Sequence, residues 1–390
     1  MVAPRHVCVV TGSRAEYGLL SGLLRALRDD DETELSVVVC GTHLVPEHGM
    51  TVDRIIDDGF EISGRVEMML SSDSGVGAAK SVGLGVIGMA DQFDRLAPDL
   101  AVVLGDRFEM LAVAQAALLL GIPLAHLHGG EVTEGAFDES IRHAITKLSQ
   151  YHFTAADAFA RRVVQLGEAP ERVFNVGTLG LDNVAEGRYG TMEELRDALD
   201  GFSLEPGFVL VTFHPETLNL AAAADDAAAF VDALRPHLER GILVTCPNAD
   251  PGGRVVKEAF LALQREHPDR VRVVASLGQR LYLAAVNHAG VVAGNSSSGL
   301  VEAPALDTPT VNVGGRQRGR PLAPSVLTCA PDTASIAAAL ERALAPATQA
   351  RMAGQAPPYG RGGGVATEIT RIIKTLDLGP SALIKPFHDL

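Results

Sequence analysis

A chain of 390 residues is too long for one ordinary core and implies two domains. Hydrophobic residues make up 47% and charged residues 21%, which argues against disorder, while 5% aromatics and no Trp leave the cores to Val, Leu, Ile and Ala. The formal net charge of -15 argues against sequence-independent nucleic-acid binding, which needs clustered Lys and Arg, but leaves room for an anionic small molecule held by a few Arg and helix N-termini.

Short β-branched runs alternate along the chain with longer amphipathic stretches. Strands are predicted at His6 to Val10, Leu35 to Cys40, Leu100 to Leu104, Pro123 to His126 and Val173 to Val176. Helices are predicted between them at Tyr17 to Arg28, Ala78 to Leu96, Glu109 to Leu119 and Glu139 to Ser149. A polar stretch from Asp182 to Gly207 follows, and then the alternation restarts. Strands are expected at Phe208 to Thr212, Ile242 to Pro247, Val271 to Val274, Val291 to Ala293 and Thr310 to Val313, with helices at Ala221 to Leu234, Arg254 to His267 and Ser298 to Ala305. This is an α/β pattern of two Rossmann-like domains with an interdomain cleft, in which ligands bind beyond the carboxyl ends of the strands.

Cys8, Cys40, Cys246 and Cys329 are widely spaced and form neither a disulfide framework nor a zinc motif. No charged-then-apolar leader precedes the first strand and no apolar run reaches a membrane span, so a cytoplasmic protein without membrane contact is expected.

The unusual residues fall at the predicted strand ends. Thr11 to Gly18 (TGSRAEYG) is a small-residue turn before a helix; free N–H groups and Arg14 suit an anion, although a tight turn with a solvated Arg gives the same pattern. Asp106 in GDRFE either points into the cleft or caps the next helix. His126, His128, Gly129, Gly130 and Glu131 place titratable groups on a backbone that can approach a ligand, or are hydrogen-bonded structural histidines; no second cluster of standard spacing supports a metal. Asp138 reads as an N-cap or a further carboxylate, and Glu139 lies one helical turn from Arg142.

In the second half, His214 sits at a strand terminus before a Pro and is a candidate for proton chemistry or a loop histidine. Gly294 to Pro304 (GNSSSGLVEAP) opens a predicted helix after a strand; Asn295, Ser296, Ser297 and the helix dipole favour phosphate, and Glu302 could accept two ribose hydroxyls. Arg316, Arg318 and Arg320 alternate in a Gly-rich loop and suit a pyrophosphate.

Together these segments resemble the hydrolysing UDP-N-acetylglucosamine 2-epimerase family of sialic-acid biosynthesis. The resemblance rests on TGSRAEYGLL, GTHL, LGDRFE, HLHGGEVTEGAFDESIRHAITKLS, FNVGTLGLDN, TFHPETL, GNSSSGLVEAP and RQRGR, and spans nearly the whole chain. It implies a glycosyltransferase-B-like architecture: domains at 1–182 and 183–373, with 374–390 returning to the first. It also implies that Arg14, Asn295, Ser296, Ser297 and Glu302 hold the nucleotide with help from Arg316 and Arg320. Asp106, Glu131, Glu139 and His214 would be catalytic, Asp138 a companion to Glu139, and His43 a sugar contact. The HGGE element and His214-Pro215-Glu216 differ from the non-hydrolysing branch, whose arginine contacts after that histidine do not carry over. The implied partner is a nucleotide-activated N-acetylamino sugar, UDP- or GDP-linked and with or without a 4-acetamido group. A homodimer or homotetramer is implied, and neither cofactor nor metal is called for. A retaining glycosyltransferase on the same fold and a non-catalytic nucleotide-sugar sensor are the rival readings; neither accounts for the carboxylates around Glu131 and Glu139.

Overall fold

The computed structural model describes residues 4–72, 74–134, 136–216, 220–247, 252–346, 348, 354 and 356–390, so Gly135, Thr217 and Leu218 of the motifs above lie outside the described residues. The chain divides into two compact units. The first comprises Met1–Glu131, Phe137–Asp182 and Gly364–Leu390, the second Val132–Ala136 and Asn183–Gly363.

In the first unit seven parallel strands run β1 (Arg5–Thr11), β2 (Thr33–Cys40), β3 (Ile62–Val66), β4 (Leu100–Leu104), β5 (Leu124–Leu127), β6 (Tyr151–Thr154) and β7 (Val173–Asn175), in the spatial order β3-β2-β1-β4-β5-β6-β7. β1 and β4 are near-continuous apolar runs because helices cover both faces of the sheet. The strand order reverses between β1 and β4, so the loops leaving these two strands flank the sheet's ligand crevice.

The helix Arg14–Arg28 begins with a capping box in which Ser13 and Glu16 satisfy each other's backbone N–H. It buries Leu20, Leu23, Leu24 and Leu27 in a core shared with Val365, Ile369, Ile372 and Ile373 of the helix Val365–Ile373. That late helix is tied to the first unit by polar contacts as well: Val365 N and Ala366 N donate to Asp182, and Arg5 donates to the carbonyls of Ile373 and Leu376.

In the second unit six parallel strands, β8 (Val209–Thr212), β9 (Ile242–Thr245), β10 (Val271–Val274), β11 (Val291–Gly294), β12 (Thr310–Val313) and β13 (Val326–Cys329), take the order β10-β9-β8-β11-β12-β13. Here the order reverses between β8 and β11.

The α/β class and both parallel sheets agree with the sequence reading. Three strands escaped it, each for a local reason: β3 carries Gly64 and Arg65, β6 carries His152 between aromatics, and β13 is a short edge strand. The expected helix Ser298 to Ala305 is instead a 3-10 turn, Ser297–Gly299, followed by a four-residue helix, Glu302–Ala305. So short a helix carries little of the dipole invoked for phosphate. Among the described residues no helix is long and apolar enough to cross a membrane, and no group of three or more His, Cys, Asp or Glu could hold a metal.

Candidate active site

In the first unit two of the predicted carboxylates, Asp106 and Glu139, and the Glu131 carbonyl converge on Arg142, which the sequence places one helical turn from Glu139. Arg142, on the helix Asp138–Leu148, is 1% exposed. It donates Nη1 to Glu139 Oε2 at 2.6 Å and to the Glu131 carbonyl at 2.8 Å, and Nη2 to the Asp106 carboxylate. Burial works against its charge, but Asp106, Glu131 and Glu139 outweigh that and raise its pKa. Asp106 therefore does not cap the helix after β4; the N-cap position belongs to Arg107, which makes no side-chain cap bond. Asp138 is buried in the first turn of its helix, and the N-cap there is Phe137.

The two histidines after β5 have different surroundings. His126 is fully buried, with Nε2 at 2.7 Å from the Gly105 carbonyl and Nδ1 at 3.1 Å from Thr146 Oγ1. Burial pushes its pKa down to about 3, so it is a neutral strut under the turn that bears Asp106. His128 takes a left-handed backbone (φ 65°), a conformation that costs a non-glycine residue energy, and its Nδ1 lies 2.8 Å from Glu131 Oε1. The turn between them needs Gly130: at φ 75°, a Cβ there would sit 2.4 Å from the Phe159 carbonyl oxygen.

The turn after β1 is filled from within. Gly12 N and Ser13 N, read from sequence as free for an anion, donate to Glu16 Oε2 at 2.7 and 3.1 Å. Glu16 is buried beside Glu109, which accepts from Arg107 at 3.2 Å. Burial and then the Glu109 charge push the Glu16 carboxyl up to about 8, against the pull of Arg107 and the two N–H groups. Arg14 is partly exposed at the first position of the helix. His43 is fully buried, its ring bonded to Thr11 Oγ1 (3.0 Å) and Thr51 Oγ1 (2.8 Å), and burial lowers its pKa to about 4. Both ring nitrogens are engaged in joining the β1 and β2 loops.

In the second unit His214 follows β8 and is clamped by Asn295. His214 N donates to Asn295 Oδ1 at 2.7 Å, and Asn295 Nδ2 donates to the His214 carbonyl at 2.8 Å. The Asn295 amide is thus spent on the His214 backbone. The Asn295 carbonyl in turn accepts from Gln317 Nε2 (2.7 Å) and Arg316 Nη1 (3.2 Å), so the loops after β8, β11 and β12 form one network. Ser296 and Ser297 remain partly exposed, and Glu302 is buried just beyond them. Glu216 holds the Gly315 N–H at 2.9 Å, Arg320 Nε donates to the Val132 carbonyl at 2.6 Å, and Arg318 is largely exposed. Glu16 and Gln317 were not singled out from sequence, and Arg142 was named there only beside Glu139, since a buried polar residue looks locally like an exposed one.

The first unit thus holds carboxylates about one arginine with a histidine beside Glu131, and the second unit by itself holds a histidine and a serine-lined loop with arginines. Residues 25–374 match the family model described as UDP-N-acetylglucosamine 2-epimerase. The chain is 36% identical to a GDP/UDP-N,N'-diacetylbacillosamine 2-epimerase (hydrolyzing) of Campylobacter jejuni, covering 82% of this chain and 83% of that one. It is also 36% identical to a polysialic acid biosynthesis protein of Escherichia coli, over 83% of this chain and 82% of that one. The crystal structure of UDP-GlcNAc 2-epimerase from Neisseria meningitidis bound to UDP-GlcNAc superposes with a TM-score of 0.79 at 16% identity, covering 95% of this chain and 100% of that one, and shows the shared fold. The chain belongs to the UDP-N-acetylglucosamine 2-epimerase family and is a nucleotide-sugar 2-epimerase.

Proposed function

We propose that the protein is a hydrolysing 2-epimerase that converts UDP-N-acetylglucosamine, or a close analogue, and water into N-acetylmannosamine and UDP. The observation that carries this reading is the cluster of Asp106, Glu131 and Glu139 about the buried Arg142. Sugar transfer or nucleotide sensing has no use for such a set, whereas inversion at carbon 2 must remove a hydrogen from one face and return one to the other.

The hydrogen at carbon 2 is not acidic by itself. Departure of the nucleotide diphosphate from carbon 1 builds oxocarbenium character and loosens it. Its removal gives 2-acetamidoglucal, and hydration of that double bond gives the manno sugar. Arg14, Ser296, Ser297, Arg316 and Arg320 would bind the diphosphate and stabilise its departing charge, with Glu302 on the ribose. Asp106, Glu131, Asp138, Glu139 and His214 would handle the protons. Asn295 would serve through its grip on His214. The reading needs no cofactor and no metal, and describes a cytoplasmic homo-oligomer.

A second reading keeps the reaction and changes the donor to a GDP-linked or 4-acetamido sugar. The name of the Campylobacter jejuni relative favours it. Both are tested by following the protein in deuterated water by proton NMR with UDP-N-acetylglucosamine and with UDP- and GDP-N,N'-diacetylbacillosamine. Free nucleotide together with a manno sugar deuterated at carbon 2 supports the reaction and identifies the donor. An epimer that still carries its nucleotide, or carbon-2 hydrogen retained in the product, overturns it.

A further inference from the structure

We propose that His128 and Glu131 form a proton-transfer dyad in which the His128 ring takes the hydrogen from sugar carbon 2 and Glu131 orients that ring. This assigns the base within the hydrolytic reading above and rests on it.

The tautomer follows from the partner. A carboxylate only accepts, so the Nδ1 that lies 2.8 Å from Glu131 Oε1 carries the ring proton. Nε2 is left with its lone pair, and among the described residues it meets Thr178 Oγ1 in a long 3.5 Å approach. His126, two residues earlier, has no such nitrogen to offer, because both of its own are engaged below the turn. Of the two side chains in the dyad the ring is the more exposed, at 14% against 9% for Glu131, so the imidazole fronts the carboxylate.

Both members are pinned through their backbones. His128 N donates to the Phe153 carbonyl at 2.8 Å, and the Glu131 carbonyl accepts from Arg142. The left-handed His128 and Gly130 curl the chain back so that residues 128 and 131 meet. A strained backbone that sets an imidazole against a carboxylate, with the other nitrogen held only by a long contact, is the arrangement by which a histidine is made a general base.

The step balances as follows. The Nε2 lone pair takes the proton from carbon 2, and the C–H electron pair becomes the carbon 1–carbon 2 double bond. The bond from carbon 1 to the diphosphate oxygen breaks, and its pair leaves with the nucleotide diphosphate. The imidazolium so formed is paired with the Glu131 carboxylate and releases its proton to bulk water before the next turnover. In the return step the oxygen of water bonds to carbon 1. A carboxylate of the Asp106–Glu139 group takes the proton that this water loses and delivers it to carbon 2 on the opposite face. Inversion needs two separate proton-handling groups, and the dyad and the Arg142-bound carboxylates are two.

The test uses His128→Gly and His128→Asn in the full-length protein, because both residues accept a left-handed backbone and leave the turn in place. Nucleotide release from the donor that the wild type consumes is measured with and without added imidazole, and UDP binding by calorimetry. The expected result is a kcat lower by about 10²–10⁴-fold in both variants, with UDP affinity nearly unchanged and partial recovery of H128G by imidazole. A kcat within about threefold of wild type in either variant, or a loss of UDP affinity as large as the loss of rate, overturns the dyad alone. A wild type that releases nucleotide from none of the donors overturns the hydrolytic reading and the dyad with it.

Discussion

The guanidinium of Arg142 binds the carboxylate of Asp106 across 36 residues of chain, joining the helix Asp138–Leu148 to the end of β4. Its other nitrogen holds Glu139 and the Glu131 carbonyl, so one buried cation sets the positions of three acidic residues.

Arg142→Met is expected to leave Asp106 and the Glu131 carbonyl without this donor and to destabilise the protein by about 3–5 kcal/mol. Arg142→Lys keeps the charge but cannot reproduce the planar fork, so it should fold better than R142M and still turn over slowly. Urea unfolding and nucleotide release measure both. An R142M protein as stable as wild type would remove Arg142 from its proposed place at the centre of the site.

Asn295→Ala should act through His214. Both backbone groups of His214 lose a partner, at a cost of about 1–3 kcal/mol. If Asn295 serves His214 and Ser296 serves the nucleotide, N295A lowers kcat with UDP affinity largely kept, while Ser296→Ala weakens UDP binding. Calorimetry with UDP beside steady-state rates separates them; equal losses of UDP affinity in both variants would return Asn295 to the nucleotide.

The raised pKa of Glu16 gives stability a defined dependence on pH. Its folded value of about 8 lies above the ordinary 4.5, so its contribution is full below 4.5 and is lost as pH rises through about 8. Glu16→Gln keeps an acceptor for Gly12 N and Ser13 N but does not titrate. Relative to wild type, E16Q should therefore gain in Tm between about pH 5 and pH 9. A difference in Tm that stays flat across that range would show that the carboxyl is ionised in the folded protein at neutral pH.

His126 acts on the acid side. Its folded value of about 3 lies below the ordinary 6.5, so its contribution is present above 6.5 and lost as pH falls through about 3, the unfolded chain taking up the proton first. His126→Gln should flatten the fall in stability below about pH 6.5, measured by urea unfolding at a series of pH values. An unchanged slope would mean that His126 is protonated in the fold.

Much of this molecule could be read along the chain. Short, near-continuous apolar runs separated by amphipathic helical stretches identify parallel strands with covering helices, because burial on both faces of a sheet leaves that pattern wherever the chain goes. The strand ends also marked where Asp106, Glu131, His214 and Ser296 would lie, since ligand-facing residues in such sheets cluster there.

What the chain did not disclose is which polar group meets which. Asp106 could equally have capped a helix, and only the adjacency of β4 and β5 brings it to Arg142. The turn after β1 looked open, and the packing of Arg14–Arg28 places the Glu16 carboxylate in it. His126 and His128 differ by two positions in sequence, yet one is sealed beneath the β4 turn and the other lies against the Glu131 carboxylate. Local pattern thus determined the elements and their order, because propensity and amphipathicity are properties of neighbouring residues. Pairing of buried charges depends on strand order and register over tens of residues, and only the tertiary structure decided it.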